Sequence, residues 1–231
     1  MMTMAAPADL QGYTDLQYDA MIEAGVEMTL DTICASDACR EGHYDRVQEA
    51  VTTVIDVCLE DGSVPVEWCL GLVAVLKESN VKAYPTCAPQ ACNDVCGVLP
   101  HGSARKCRMR CTKNVQPAAY GRVKWCNDRG SSAGWFQMKR DGAHIRACNK
   151  RFGSNTDPHD LDDAVRCYAW RVKQSAEKNA CGVSDPWPVA FARVGKGVFH
   201  RGTRKPVCEP NTYAKRGASA WAACEACKGD L

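Results

Sequence analysis

A chain of 231 residues, 45% hydrophobic and 24% charged, has the make-up of a folded globular protein long enough to bury a substantial core. A formal net charge of +2 is too small to call for a nucleic-acid partner, and no apolar run reaches the roughly eighteen residues that a membrane-spanning helix needs. The stretch from Met1 to Gly25 has no basic region leading into an apolar one, so no secretory signal is visible.

From about Leu10 to Cys58 the pattern predicts two helices. In the second, Tyr44, Val47, Val51, Val54, Ile55 and Cys58 recur at helical spacing. Asp61-Gly62-Ser63 breaks the run. Ser63 is the expected N-cap of a helix over Val64–Glu78, with Pro65 in the first turn and Glu67 near a capping-box position. Trp68, Leu72, Val75, Leu76 and Ser79 share one stripe, so this helix should be buried along much of its length. Between Ala83 and Arg129 no period holds, and Cys, Pro, Gly and basic residues crowd together as in a cross-linked insertion. Regularity returns with helices expected around Asp141–Arg151, Leu161–Lys178, Trp187–Val194 and Thr212–Cys227. In the second of these, Leu161, Val165, Tyr168, Ala169 and Val172 should face inward. The fold class expected is mainly α, with an N-terminal helical segment over 1–60 and a domain over 61–231 that carries a Cys-rich insertion at 84–129.

Sixteen cysteines, an even number at this density, predict disulfides and an extracytoplasmic working site (secreted, periplasmic or virion-associated) in spite of the absent signal. Their pairing does not follow from the spacing. Cys224 and Cys227 form the single strict C-x-x-C, and the five histidines are scattered, so disulfides explain the cysteines better than zinc and no metal is expected. The basic cluster Arg105, Lys106, Arg108, Arg110 and Lys113 reads as a solvated face of the insertion, or else as a contact for anionic polymers.

Glu78 closes a helix whose other positions are almost all apolar or small. A carboxyl presented from such an end into a cleft is held protonated by desolvation and can serve as a general acid. The plainer alternative is a helix-ending glutamate on the solvated side beside Lys77.

Leu70 to Asn80 (LGLVAVLKESN) followed by Gly134-Trp135-Phe136-Gln137-Met138 resembles the paired signature of the soluble lytic transglycosylases, lysozyme-like enzymes of peptidoglycan turnover related to goose-type lysozyme. Asp157-Pro158 with Asp160-Leu161 and Ala164, then Ala190 to Gly197 (AFARVGKG), then Asn211-Thr212-Tyr213, resemble further family segments in the family's order. The resemblance implies a lysozyme-like helical domain in which Glu78 is the sole catalytic acid/base. It places Ser79, Gly134, Phe136, Gln137, Arg193 and Tyr213 along the substrate cleft. It implies no cofactor, a peptidoglycan glycan strand as partner, a possible part in a larger particle or secretion assembly, and products with 1,6-anhydromuramoyl ends. The family's Tyr-Asn pair falls at Ala192 and Arg193 here, and the gap between the Glu helix and the Gly-x-x-Gln turn is longer than in the family.

Two other functions compete. A muramidase-type hydrolase would need a second carboxylate, for which Asp94, Asp128 and Asp141 are the candidates. An inactive disulfide-rich carbohydrate-binding or structural protein would keep the fold without the chemistry. Several cleft residues also have a plainer reading: Gln137 as satisfying its own turn, Phe136 as core filling, Arg193 as a surface arginine and Tyr213 as a packed aromatic.

Overall fold

The computed structural model describes residues 13–79, 81, 132–139, 143–153, 156–196 and 205–228. The Cys-rich insertion at 84–129, its basic cluster, Asp94, Asp128 and Asp141 lie outside them. The described chain is mainly helical and disulfide-rich. Its helices are α1 (Asp15–Ile33), α2 (Asp37–Asp61), α3 (Cys69–Val75), α4 (Ala143–Phe152), α5 (Leu161–Lys178), α6 (Trp187–Lys196), α7 (Thr212–Ala223) and α8 (Glu225–Lys228). One antiparallel pair, β1 (Ser132–Ala133) with β2 (Met138–Lys139), accompanies them. The chain divides into two compact units, Met1–Val81 with Val165–Leu231, and Lys82–Ala164.

In the first unit the helix ends are set locally. Thr14 and Gln17 form a capping box at the start of α1, each side chain taking the other's backbone N–H, at 3.3 Å and 2.8 Å. Ser36 caps α2, and Gly62 ends it in the left-handed conformation at φ +57°, as the Asp61-Gly62-Ser63 break predicts. Val47, Val51, Val54 and Ile55 of α2 are fully buried, and α1 supplies Met21, Val26 and Leu30 to the same core. Tyr18 of α1 donates to Asp56 of α2 at 2.6 Å. Tyr44, placed on the inward stripe by its spacing, is exposed: the stripe reaches the core only from Val47 onward.

The helix expected over Val64–Glu78 is instead three pieces. Val66–Trp68 and Leu76–Ser79 are 3₁₀ turns, and only Cys69–Val75 between them is α-helical. Ser63 is not the N-cap: its own N–H is taken by the Asp61 carboxylate at 3.2 Å, and Pro65 opens the first turn without a side-chain cap. The Cys58–Cys69 disulfide fixes the start of α3 to the end of α2. All seven residues of α3 are buried, the pattern of a helix enclosed on every side.

Helix α7 packs directly on α3. A Cβ on Gly217 would stand 2.5 Å from Gly71 Cα and N, so the two backbones meet with no side chain between them. Trp68 and Phe191 pack with their rings tilted by 35° and their centroids 5.6 Å apart. Asn211, 2% exposed, caps α7 through Ala214 N–H at 2.9 Å and donates to the Phe191 carbonyl at 3.2 Å, tying α7 to α6. The helix expected over Thr212–Cys227 divides at Cys224, whose ψ of 87° leaves the helical region. α5 has the expected bounds, with Val165, Tyr168, Ala169 and Val172 buried; Leu161, at its first position, is only half-buried.

In the second unit, β1 and β2 flank a four-residue turn, Gly134–Gln137, and α4 packs against β2. Gly134 sits at φ +72°, and a Cβ there would fall 1.6 Å from the Pro158 carbonyl oxygen. That oxygen accepts the Trp135 N–H at 3.0 Å. Only glycine fits this approach.

The disulfides Cys34–Cys39, Cys58–Cys69, Cys181–Cys208 and Cys224–Cys227 are formed, and Cys148 and Cys167 are oxidised as well. This state fits an oxidising environment. Among the described residues no helix is long and apolar enough to cross a membrane.

Candidate functional site

Glu78 lies in the 3₁₀ turn that follows the enclosed helix α3, one residue after Lys77 and one before the fully buried Ser79. The turn is locked through a single acceptor. The Leu76 carbonyl takes the Ser79 hydroxyl at 2.9 Å and the Val81 N–H at 3.1 Å. Val81 is buried and held at φ 55°, a conformation that a β-branched residue adopts only against about 1–3 kcal/mol of strain. The backbone around Glu78 is therefore overdetermined by packing.

Glu78 is half-buried, and burial pushes its carboxyl above the usual carboxylate range, with the Lys77 ammonium pulling partly the other way. Lys77 is itself pushed down, by burial first and then by the charge of Arg216, while Glu78 opposes that shift. Its Nζ stands 5.7 Å from the centre of the Tyr213 ring, within cation–π range. Tyr168, 4% exposed on α5, has its phenol pushed up by burial and then by the charge of Glu78. Arg216 lies one turn beyond Tyr213 on α7, with its Nη1 buried and without a hydrogen-bond partner.

The turn after α3 thus gathers Glu78 and Lys77 with Tyr168 of α5 and Tyr213 and Arg216 of α7 in the first unit. A half-buried carboxyl with a raised pKa beside an ammonium can give up a proton and then be stabilised as the anion. Of the residues singled out from the sequence, Glu78, Ser79 and Tyr213 belong to this group. Ser79 serves it from inside the turn, its hydroxyl bonded to backbone. Arg216 and Tyr168 were not expected there, and Lys77 was expected only as the neighbour of a solvated Glu78. Arg216 had a signal in its position three residues after Tyr213, on the same face of a helix.

The other predicted cleft residues have definite settings. Arg193, half-buried on α6, donates from Nη1 to Cys181 Sγ at 3.4 Å, beside the Cys181–Cys208 disulfide. Gln137, at φ 48°, closes its own turn by donating from both the main-chain N–H and Nε2 to the Gly134 carbonyl, at 3.2 and 2.8 Å. Phe136 is 3% exposed and contributes to the core of the second unit. Trp135 is half-buried and donates from Nε1 to the His159 carbonyl at 2.9 Å. Gly134 is required by the approach of Pro158.

Among the described residues one group gathers metal-ligating atoms, Cys34, Cys39 and His43, within 4.8 Å of one another. Both of its sulfurs are joined in a disulfide and offer no thiolate. No protein-family model, curated protein or solved structure matches the chain.

Proposed function

We propose that the protein is a lysozyme-like glycosidase that cleaves the β-1,4 bonds of peptidoglycan glycan strands, with Glu78 as its acid/base. The observation that carries this reading is the half-buried Glu78 carboxyl, held by a locked turn at the end of an enclosed helix and pushed up in pKa by burial. The family resemblance of the sequence points to the same residue.

In the transglycosylase form of the reaction Glu78 protonates the bridging oxygen as the C1–O bond breaks. The carboxylate so formed is favoured by the charge of the Lys77 ammonium. It then takes the proton of the muramoyl 6-hydroxyl while that oxygen closes onto C1. A 1,6-anhydro end results, with no water consumed. Tyr213, whose ring centre lies 5.7 Å from the Lys77 Nζ, holds the ammonium, and in this reading its ring also takes a sugar face. Arg193 serves as a cation for substrate carboxylates.

The oxidised cysteines suit an extracytoplasmic substrate. The test is mass spectrometry of purified peptidoglycan digested with the oxidised protein and with Glu78→Gln. Muropeptides lighter by one water, absent with the variant, are the expected result. Ordinary reducing ends would assign a muramidase-type hydrolase with a second carboxylate. No cleavage by the wild type would leave a binding or structural protein on this scaffold.

A further inference from the structure

Helices α1 and α7 border a groove of about 770 Å³, the size of a small-peptide site. Its walls carry opposite charge. Glu23, Glu27 and Asp31 follow one another at single turns along α1, and Lys215 and Arg216 stand on α7. Arg40 is ion-paired to both Glu27 and Asp31, which leaves Glu23 without an ion pair among the described residues. On the other wall Lys215 is exposed with no ion pair among the described residues, and Arg216 Nη1 is buried with no partner. An ammonium at one wall and carboxylates at the other would satisfy these groups together.

Cys224 also lines this groove. Its Sγ lies 3.6 Å from the carbonyl oxygen of Ala20, which lines the groove as well. Cys224 is half-buried whereas its partner Cys227 is 1% exposed, so an incoming sulfur reaches Cys224 and leaves Cys227 as the departing group. The Cys224–Cys227 link spans three residues, against five, eleven and twenty-seven for the other described pairs. It therefore restrains the unfolded chain least, and opening it disturbs the fold least.

We propose that the α1–α7 groove binds a low-molecular-weight peptide thiol, zwitterionic and rich in carboxylate, which exchanges with the Cys224–Cys227 disulfide. The peptide thiolate attacks Cys224 Sγ, the S–S bond breaks, and its electron pair leaves on Cys227, which is protonated from water. A second peptide thiol then attacks the peptide sulfur of the mixed disulfide and releases Cys224 as a thiol. Two peptide thiols are oxidised to one peptide disulfide, and one protein disulfide is reduced to two thiols.

Glutathione is the probe, with uncharged 2-mercaptoethanol as comparison, added to the oxidised full chain. Opened cysteines are alkylated at intervals and located by peptide mapping. Glutathione should open Cys224–Cys227 before the other three described pairs; in Cys227→Ser the Cys224 thiolate should attack oxidised glutathione, keeping one glutathione as a mixed disulfide and releasing the other as the thiol. Raising the ionic strength should slow the glutathione reaction of the wild type and leave the 2-mercaptoethanol reaction unchanged. Lys215→Gln combined with Arg216→Gln should lower the glutathione rate on the order of tenfold at low salt. Earlier opening of another pair, or a glutathione rate indifferent to salt in the wild type, would overturn the proposal.

Discussion

Replacing Gly217 by alanine tests whether the backbone contact between α3 and α7 holds the Glu78 region together. The added Cβ would lie 2.5 Å from Gly71 Cα and N and 2.9 Å from the Leu70 carbonyl carbon. These are main-chain atoms of an enclosed helix, so the clash cannot be relieved by a rotamer. Normal contact requires the helices to part by roughly 1 Å, an overpacking cost near the upper end of about 1–3 kcal/mol. Alanine returns about 1 kcal/mol through its better helix propensity. The net loss is about 2 kcal/mol, which for a chain of this size lowers Tm by roughly 4–8 °C. Urea unfolding and thermal melting with disulfides intact would measure it, with Gly42→Ala as the control. A Cβ at Gly42 on α2 meets nothing within 4 Å, and that variant should be unchanged or more stable by up to about 1 kcal/mol. Since α7 carries Tyr213 over Lys77, Gly217→Ala should also reduce any activity that depends on Glu78. A Gly217→Ala protein as stable as the wild type would refute the close-packing argument.

Three further outcomes follow from the same geometry. Lys77→Met removes the cation that opposes the burial of the Glu78 carboxyl, so Glu78 should stay protonated to higher pH; the alkaline limb of a pH–activity profile should move upward, and an unmoved or downward limb would separate that limb from Glu78. Because the folded-state pKa of Glu78 is raised, its protonated form favours the fold below the ordinary carboxylate pKa, and that contribution is lost as pH rises through the raised value. The stability gap between Glu78→Gln and wild type should accordingly grow in the variant's favour from acid to neutral pH, and urea midpoints with a constant gap would contradict this. Gly134→Ala places a methyl group 1.6 Å from the Pro158 carbonyl oxygen at φ +72° and should cost at least about 3 kcal/mol, seen as lost hydrogen-exchange protection of the Trp135 amide; retained protection would contradict the assigned turn.

Much of the helical framework follows from the sequence alone, because its causes are local. The periodic apolar residues of α5, the stop of α2 at Gly62 and the apolar run leading into Glu78 each act within a few turns of chain. What depends on cysteine pairing, on the hydrogen bonding of turns or on residues distant in sequence could not be read this way. α3 is short because Pro65, the Asp61 carboxylate and the Cys58–Cys69 disulfide hold its start. The Cys224–Cys227 disulfide joins the end of α7 to α8, where the periodicity suggests one continuous helix. Tyr44 has the spacing of a core residue but lies before the point where α2 reaches the core. Glu78 was legible as a carboxyl at an apolar helix end. The arrival of Tyr213 and Arg216 beside Lys77 depends on α7 meeting α3 at Gly71 and Gly217, a contact between backbones some 150 residues apart. Local sequence dictates which segments coil and which faces are apolar; only the closing of such long loops decides which faces meet and which charges they bring together.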